Sequence, residues 1–214
     1  MSGKIITVAQ QKGGSGKTTI AAHLAVALSR LNGRSVALLD VDPQGSLGEW
    51  FEARKRRLGA DAAGFGFRTA SGWGARREAL AMQRDHDFVV VDTPPKSDLE
   101  GKPAIEAATL VVVPIQPTPV DFWSCTATLK IVAAEKAPAL VVVNRVPARG
   151  RVTDEIIRAI VELGVDVADA TIGNRLAFAA SMGAGSTVIE TEPSSRGAAE
   201  VTALAEQVAA RLSR

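Results

Sequence analysis

The stretch that most constrains this chain is Gln11-Lys12-Gly13-Gly14-Ser15-Gly16-Lys17-Thr18-Thr19. It follows the apolar run Ile5-Ile6-Thr7-Val8-Ala9 and opens a segment in which Ile20, Leu24, Ala27, Leu28 and Leu31 recur at helical spacing. Strand, glycine-rich turn and helix N-terminus, in that order, are the parts of a phosphate-binding loop. The glycines leave backbone N–H groups bare so that they converge on phosphate oxygens. In such a loop Lys17 reaches the β- and γ-phosphates as a point charge and the Thr18 hydroxyl holds Mg²⁺. The usual G-x-x-x-x-G-K-[ST] pattern is not fully kept, because its first glycine is missing and Lys12 opens the loop. A second lysine has no purpose for a single nucleotide already gripped by Lys17.

The remaining chain repeats the alternation that this stretch begins. Ser35 to Leu39 reads as a buried strand closing on Asp40-Val41-Asp42-Pro43-Gln44-Gly45, and Leu47 to Arg57 as a helix. Phe65 to Thr69 alternates like a short edge strand, and Ala75 to Gln83 reads as a brief helix. Phe88-Val89-Val90-Val91-Asp92 is a strand closing on an acid, ahead of Thr93-Pro94-Pro95. It has the form of a Walker B strand, in which Asp92 holds a Mg²⁺-bound water and the loop after it senses the γ-phosphate. Further strands are read at Leu110 to Pro114, Ala139 to Asn144 and Val167 to Ile172. Helices are read at Val120 to Lys136, Thr153 to Leu163, Arg175 to Met182 and Arg196 to Leu212. Uninterrupted Val/Leu runs mean strands covered on both faces, as in parallel sheets. The fold expected is therefore a doubly wound, mostly parallel α/β sheet of the P-loop NTPase kind, with residues 1–214 forming a single domain.

Composition sets the outer bounds. Hydrophobic residues make up 46% and charged residues 22%, enough for a packed core and too apolar for gross disorder. The lone Cys125 excludes an intramolecular disulfide and suits a reducing compartment. No signal peptide and no bilayer-length apolar run is read, so a cytoplasmic location is expected. A formal charge of +2 is mild, and the run Arg54-Lys55-Arg56-Arg57 reads as a solvated surface rather than a binding stripe. His23 and His86 lack metal-ligand spacing, while Trp50, Trp73 and Trp123 fit either packing or a partner surface.

Four segments in order, Lys12 to Thr19, Asp40 to Gly45, Val91 to Pro95 and Val143-Asn144-Arg145, resemble the ParA/MinD family of deviant Walker A ATPases, most closely the short ParA proteins. Pro114-Ile115-Gln116-Pro117 matches a further family segment. The resemblance implies a protein that binds ATP and Mg²⁺ and dimerises face to face with two ATP molecules between the subunits. It makes Lys12 the lysine that crosses to the partner's nucleotide, so hydrolysis dissolves the dimer. By the same resemblance Lys12, Lys17 and Asp42 are catalytic, Asp42 positioning the attacking water. Lys12, Gly13, Gly14, Ser15, Gly16, Lys17, Thr18 and Thr19 bind the nucleotide, and Asn144 recognises adenine. Thr18, Asp40 and Asp92 serve the metal, Asp40 through water or by shaping its strand end, and Gly173-Asn174-Arg175 lines the base.

The neighbouring branches fit less well. A dimer bridged by a cysteine-bound cluster needs two cysteines per chain. A membrane-binding tail wants bulky apolar residues against a basic face, whereas Glu200 to Arg214 offers mainly Ala and Val. Short ParA proteins bind DNA non-specifically, and Arg175, Arg196, Arg211 and Arg214 are the candidate contacts, with Arg149 and Arg151 behind them. No N-terminal helix-turn-helix is read, so base-specific binding is not expected. The function this implies is an ATPase that positions or segregates cargo on the nucleoid, with hydrolysis stimulated by a ParB-like or other partner and no membrane involved. A MinD-like membrane-surface ATPase is the alternative, and a small-molecule ligase or kinase is a third.

Overall fold

A computed structural model describes residues 3–31, 33–59, 64–95, 101–148 and 152–213. The apolar runs become β1 (Lys4–Val8), β2 (Val36–Asp40), β3 (Gly66–Thr69), β4 (Phe88–Asp92), β5 (Leu110–Ile115), β6 (Ala139–Val143) and β7 (Asp166–Val167). They form one seven-stranded sheet in the order β3-β2-β4-β1-β5-β6-β7, and every neighbouring pair is parallel. Parallel neighbours need crossovers, and the helices that make them cover both faces.

The strand period divides the core in two. On one face Ile6, Val8, Leu38, Val90, Val112 and Leu140 pack with α1 (Lys17–Arg30), α2 (Ser46–Leu58) and α9 (Arg196–Leu212). On the other, Val111, Val113, Val141 and Val143 meet Cys125, Leu129, Ile156 and Ile160 of α5 (Pro119–Ala134) and α6 (Val152–Glu162). Toward the β3 edge, Leu39, Val89 and Val91 meet Ala79 and Met82 of α3 (Ala75–Met82). Cys125 is fully buried, which pushes its thiol up to about 12 and leaves it a small apolar filler. No helix among the described residues is long and apolar enough to cross a membrane.

The differences from the sequence reading have physical causes. The last strand is paired only over Asp166–Val167. Ala168 N still donates to the Val141 carbonyl, and the next backbone bond to β6 among the described residues is from Ile172 N to the Val143 carbonyl, so the residues between do not extend the ladder. Two short helices, α4 (Lys102–Glu106) and α8 (Val188–Thr191), were not read. Each spans little more than one turn, too short for a periodic pattern. A further short helix, α7 (Leu176–Gly183), falls where one was expected. The basic run is not uniformly solvated: Arg54 is buried, lies over the Trp50 and Phe65 rings and pairs with Glu190 of α8 at 2.8 Å. Burial alone would raise the Glu190 carboxyl, but Arg54, the Ser186 hydroxyl and Thr187 N together outweigh it and hold the group at about 2.

The strand order reverses around β1, since β4 and β5 lie on its two sides and the chain crosses between them. Ligands of open α/β sheets bind in the crevice outside the strand carboxyl ends at such a point. The glycine-rich loop leaves β1 there.

Candidate nucleotide site

The loop is held by amide side chains from the surrounding strand ends. Gln10 donates to the Pro114 carbonyl at 3.3 Å and accepts from the hydroxyls of Ser124 and Thr128 at 3.1 and 2.8 Å. Gln116 donates to the Gly14 carbonyl at 3.0 Å, and Asn144 to the Ser15 carbonyl at 2.9 Å. Gly16 stands at φ +96°, and a Cβ there would come within 2.3 Å of Asn144 Nδ2, so both conformation and space require glycine. With carbonyls turned to these amides, the loop encloses a cavity of about 760 Å³ lined by Gly13, Gly14, Gly16, Lys17, Thr18, Thr19 and Asp42.

The two lysines of the loop are directed differently. Lys17 is buried, and Nζ donates to the Lys12 carbonyl at 3.5 Å. Burial lowers its pKa, while the carboxylates of Asp92 and Asp42 act in the opposite sense. Lys12 leaves the loop and donates from Nζ to Asp121 Oδ2 at 2.6 Å, the lysine side chain being 34% exposed and the aspartate 2%. Asp121 lies in the first turn of α5 and also accepts from the Thr118 hydroxyl. Nothing in the sequence reading singled out Asp121, because its signal is proximity across the fold.

Thr18 Oγ1 donates to Asp92 Oδ2 at 2.6 Å. Asp92 is fully buried, and its pKa rises to about 7, chiefly through burial, with Asp40 and Asp42 adding to the rise and Thr18 and Lys17 opposing it. Its other oxygen, Oδ1, has no hydrogen-bond partner among the described residues, and neither does the Ser15 hydroxyl. A hydroxyl beside a buried carboxylate with a free oxygen fits a hydrated Mg²⁺, which takes one or two protein oxygens and keeps several waters. Asp40 instead uses its oxygens on the chain itself, accepting from Asp42 N at 3.1 Å and Gly48 N at 2.9 Å, so it shapes the end of β2. Asp42 Oδ1 accepts from Gln44 N at 2.9 Å, which fixes the carboxyl at the cavity wall.

Asn144, assigned to adenine by resemblance, is here engaged with the loop, its Oδ1 also accepting from Arg145 N at 2.9 Å. It lines a second cavity of about 350 Å³ with Thr19, Arg145, Gly173, Asn174, Arg175 and Phe178, beside the phosphate loop. The candidate DNA arginines do not form one free cluster. Arg175 and Arg196 both pair with Glu200, at 2.5 and 3.2 Å, and Arg211 pairs with Asp166 at 2.7 Å. Arg149, Arg151 and Arg214 lie outside the described residues.

Residues 6–188 match the family described as "CobQ/CobB/MinD/ParA nucleotide binding domain". The chain belongs to that family. This MinD/ParA-type chain is 31% identical over 205 residues to maintenance of carboxysome distribution protein A of Halothiobacillus neapolitanus, covering 91% of each chain. It is 30% identical over 245 residues to the chromosome-partitioning ATPase Soj of Thermus thermophilus, covering 97% of this chain and 96% of that one. An ATP complex of a substituted Cyanothece McdA superposes with a TM-score of 0.77 at 19% identity, over 97% of this chain and 95% of the other, which shows the shared fold.

One consequence concerns the helix that follows the loop. His23 is buried, its Nδ1 is 2.8 Å from the Thr19 carbonyl and its Nε2 accepts from Val188 N at 3.1 Å. One nitrogen must donate and the other accept, so the ring is neutral, and burial lowers its pKa to about 4. Because the folded value lies below the unfolded one near 6.5, this contribution to stability is complete above about pH 6.5 and is lost as pH falls toward 4. It amounts to about 3 kcal/mol at full strength. Urea titrations should show His23→Leu less stable than wild type at pH 7.5, with a flatter dependence between pH 6.5 and 4. Parallel pH profiles for the two proteins would refute the account.

Proposed function

We propose that this chain is a ParA-type ATPase whose ATP-bound form is a face-to-face dimer that binds DNA non-specifically and positions cargo. The observation that carries the reading is the divergence of the two loop lysines. Lys17 lines its own loop cavity, whereas Lys12 does not and is held by the buried Asp121 of α5. A lysine set aside from its own site in this way suits a second copy's nucleotide. Exposed apolar side chains fit a partner on the same side. Trp73, Val120, Trp123, Val152 and Leu176 all follow strand carboxyl ends, as the loop does, with only Val161 and Leu163 of the exposed large apolar side chains elsewhere among the described residues.

In the chemistry proposed, the loop N–H groups and Lys17 hold the β- and γ-phosphates and Asp42 orients the attacking water. Thr18 and Asp92 would hold Mg²⁺, which would offset the negative charge of the phosphates. Lys12 of each copy adds positive charge at the other's phosphates, so ATP becomes part of the interface and its hydrolysis releases the copies. A partner protein accelerates that step. The similarity to a carboxysome distribution protein and to a partitioning ATPase supports a large cytoplasmic assembly or a DNA molecule as cargo.

The test is the Lys12→Ala variant. It should bind ATP within a few-fold of wild type yet remain monomeric in light scattering with ATP, and it should be lost from DNA in co-sedimentation. An ATP-dependent dimer that forms equally well without Lys12 would refute the interface role. The wild-type DNA complex should weaken steeply with salt and ignore base sequence. Binding to anionic vesicles but not to DNA would favour the membrane-surface alternative instead.

A further inference from the structure

Val161 and Leu163, exposed at 57% and 50%, stand apart from the apolar side chains near the strand carboxyl ends. They lie at and just past the end of α6, which packs on β7 at the edge of the sheet. The apolar stripe of this helix is wider than the sheet beneath it. Ile156 and Ile160 are buried in the core, Ile157 is half-buried, and Val161, one turn on from Ile157, is exposed. Helices of a parallel sheet normally have strands under their whole apolar face. Here the stripe runs on past the last strand, over a cleft of about 590 Å³ whose walls include Ile157, Val161, Val165, Val167, Asp166 and Asp169.

The edge itself is open. β7 has β6 on one side and no strand on the other among the described residues. Ala168 N donates to the Val141 carbonyl, and Val141 stands opposite Val167 in the parallel register. In that pattern the residues on either side of Val167 bond to β6, so Val167 turns its own N–H and carbonyl to the open side. Such edges are commonly blunted by a charge or a proline. The charged residue of this strand, Asp166, is instead tied to Arg211 of α9 at 2.7 Å.

The two faces of the edge define what fits it. Val165 and Val167 pack with the α5–α6 cluster, so on that side an added strand meets Ile157 and Val161 and is apolar. Successive residues of a strand point to opposite faces, which puts Asp166 on the other side. Asp169 also lines the cleft, and its exposed carboxylate makes no ion pair or hydrogen bond among the described residues. No lysine or arginine lines the cleft, so it favours a cationic occupant and repels nucleic acid. A second copy fits poorly: two-fold pairing of β7 with itself would set the same carboxylates against each other along a strand of two residues.

We propose that the open side of β7 takes up an extended segment of a partner protein, with apolar and basic side chains alternating, as an eighth strand. Backbone bonds to Val167 supply the pairing, and the side-chain alternation supplies the selectivity. Two strands, β5 and β6, separate this seat from β1 and its phosphate loop, so docking here leaves the nucleotide cavity free.

The experiment is selection of displayed random peptides of about 12 residues, long enough to lie along a strand, on the wild-type protein without nucleotide. Enriched peptides should alternate apolar residues with Lys or Arg, and binding of synthetic copies should slow hydrogen exchange at the Val167 amide. In fluorescence anisotropy they should bind about 10-fold more weakly to Val167→Pro, which deletes the outward N–H, and to Val161→Glu, which places a charge on the apolar wall. Asp169→Lys should weaken binding more at low salt than at high salt. Val161 is exposed, so Val161→Glu leaves the core intact and keeps the test decisive if Val167→Pro does not fold. No enrichment, acidic enriched peptides, or full affinity for Val161→Glu would each overturn the proposal. Nucleotide-free self-association in sedimentation, abolished by Val161→Glu, would overturn it too by making a second copy the occupant.

Discussion

Asp42→Ala should bind ATP within a few-fold of wild type and hydrolyse it at least about 100-fold more slowly, leaving an ATP-bound dimer that persists. The magnitude is that of removing a group that positions or deprotonates the nucleophile, typically 10²- to 10⁴-fold. The geometry makes a control available. Asp42 Oδ1 accepts from Gln44 N, so alanine deletes both the carboxylate facing the cavity and a bond that shapes the loop. Asp42→Asn keeps an oxygen for Gln44 and removes the charge. Single-turnover phosphate release should be slow in both variants. Wild-type rates in Asp42→Asn would show that the alanine effect is loss of loop shape, and wild-type rates in Asp42→Ala would remove Asp42 from the chemistry altogether.

Lys17→Ala should lose nucleotide binding by at least about 100-fold, roughly 3 kcal/mol, the scale of charge-assisted hydrogen bonds to phosphate. The unliganded fold should survive. Removing a buried ammonium relieves its desolvation but leaves Asp92 and Asp42 without its compensating charge, two effects of opposite sign. Differential scanning separates binding from folding. The thermal midpoint without ligand should move little, while the upward shift that saturating ATP and Mg²⁺ give wild type, worth about 2.7 kcal/mol at 100 times Kd, should vanish. A midpoint that still climbs with ATP would mean that Lys17 does not carry phosphate binding.

The strands were legible because parallel strands covered on both faces cannot avoid looking apolar. Val89-Val90-Val91 and Val111-Val112-Val113 distribute alternate side chains to cores on opposite sides of the sheet, so neither face tolerates polarity. The loop was legible because its chemistry is contiguous in sequence. What could not be read is what the fold assembles from afar. Asp121 meets Lys12 across 109 residues, Gln116 reaches Gly14 across 102, and Arg54 finds Glu190 across 136. Arg54 also shows why charge runs mislead. A helix rotates successive residues around its axis, so one member of a basic run faces inward and needs its own carboxylate and aromatic bed. Arg145 gave a partial signal through its place beside Asn144. Its left-handed backbone and its lack of a carboxylate partner among the described residues are properties of the folded chain alone.

The amide clamp on the loop bears on the thermodynamics of loading. Gln116 and Asn144 grip backbone that in a slack loop would be ordered only by the incoming phosphates. Here the ordering is completed when the chain folds, so a nucleotide meets a finished receptor. Loading of a single copy should then show only the small heat-capacity change of a compact polar ligand, without the large negative value that accompanies coupled folding. Any large change in heat capacity with ATP would report something beyond the loop, namely apolar surface buried as two copies close on one another.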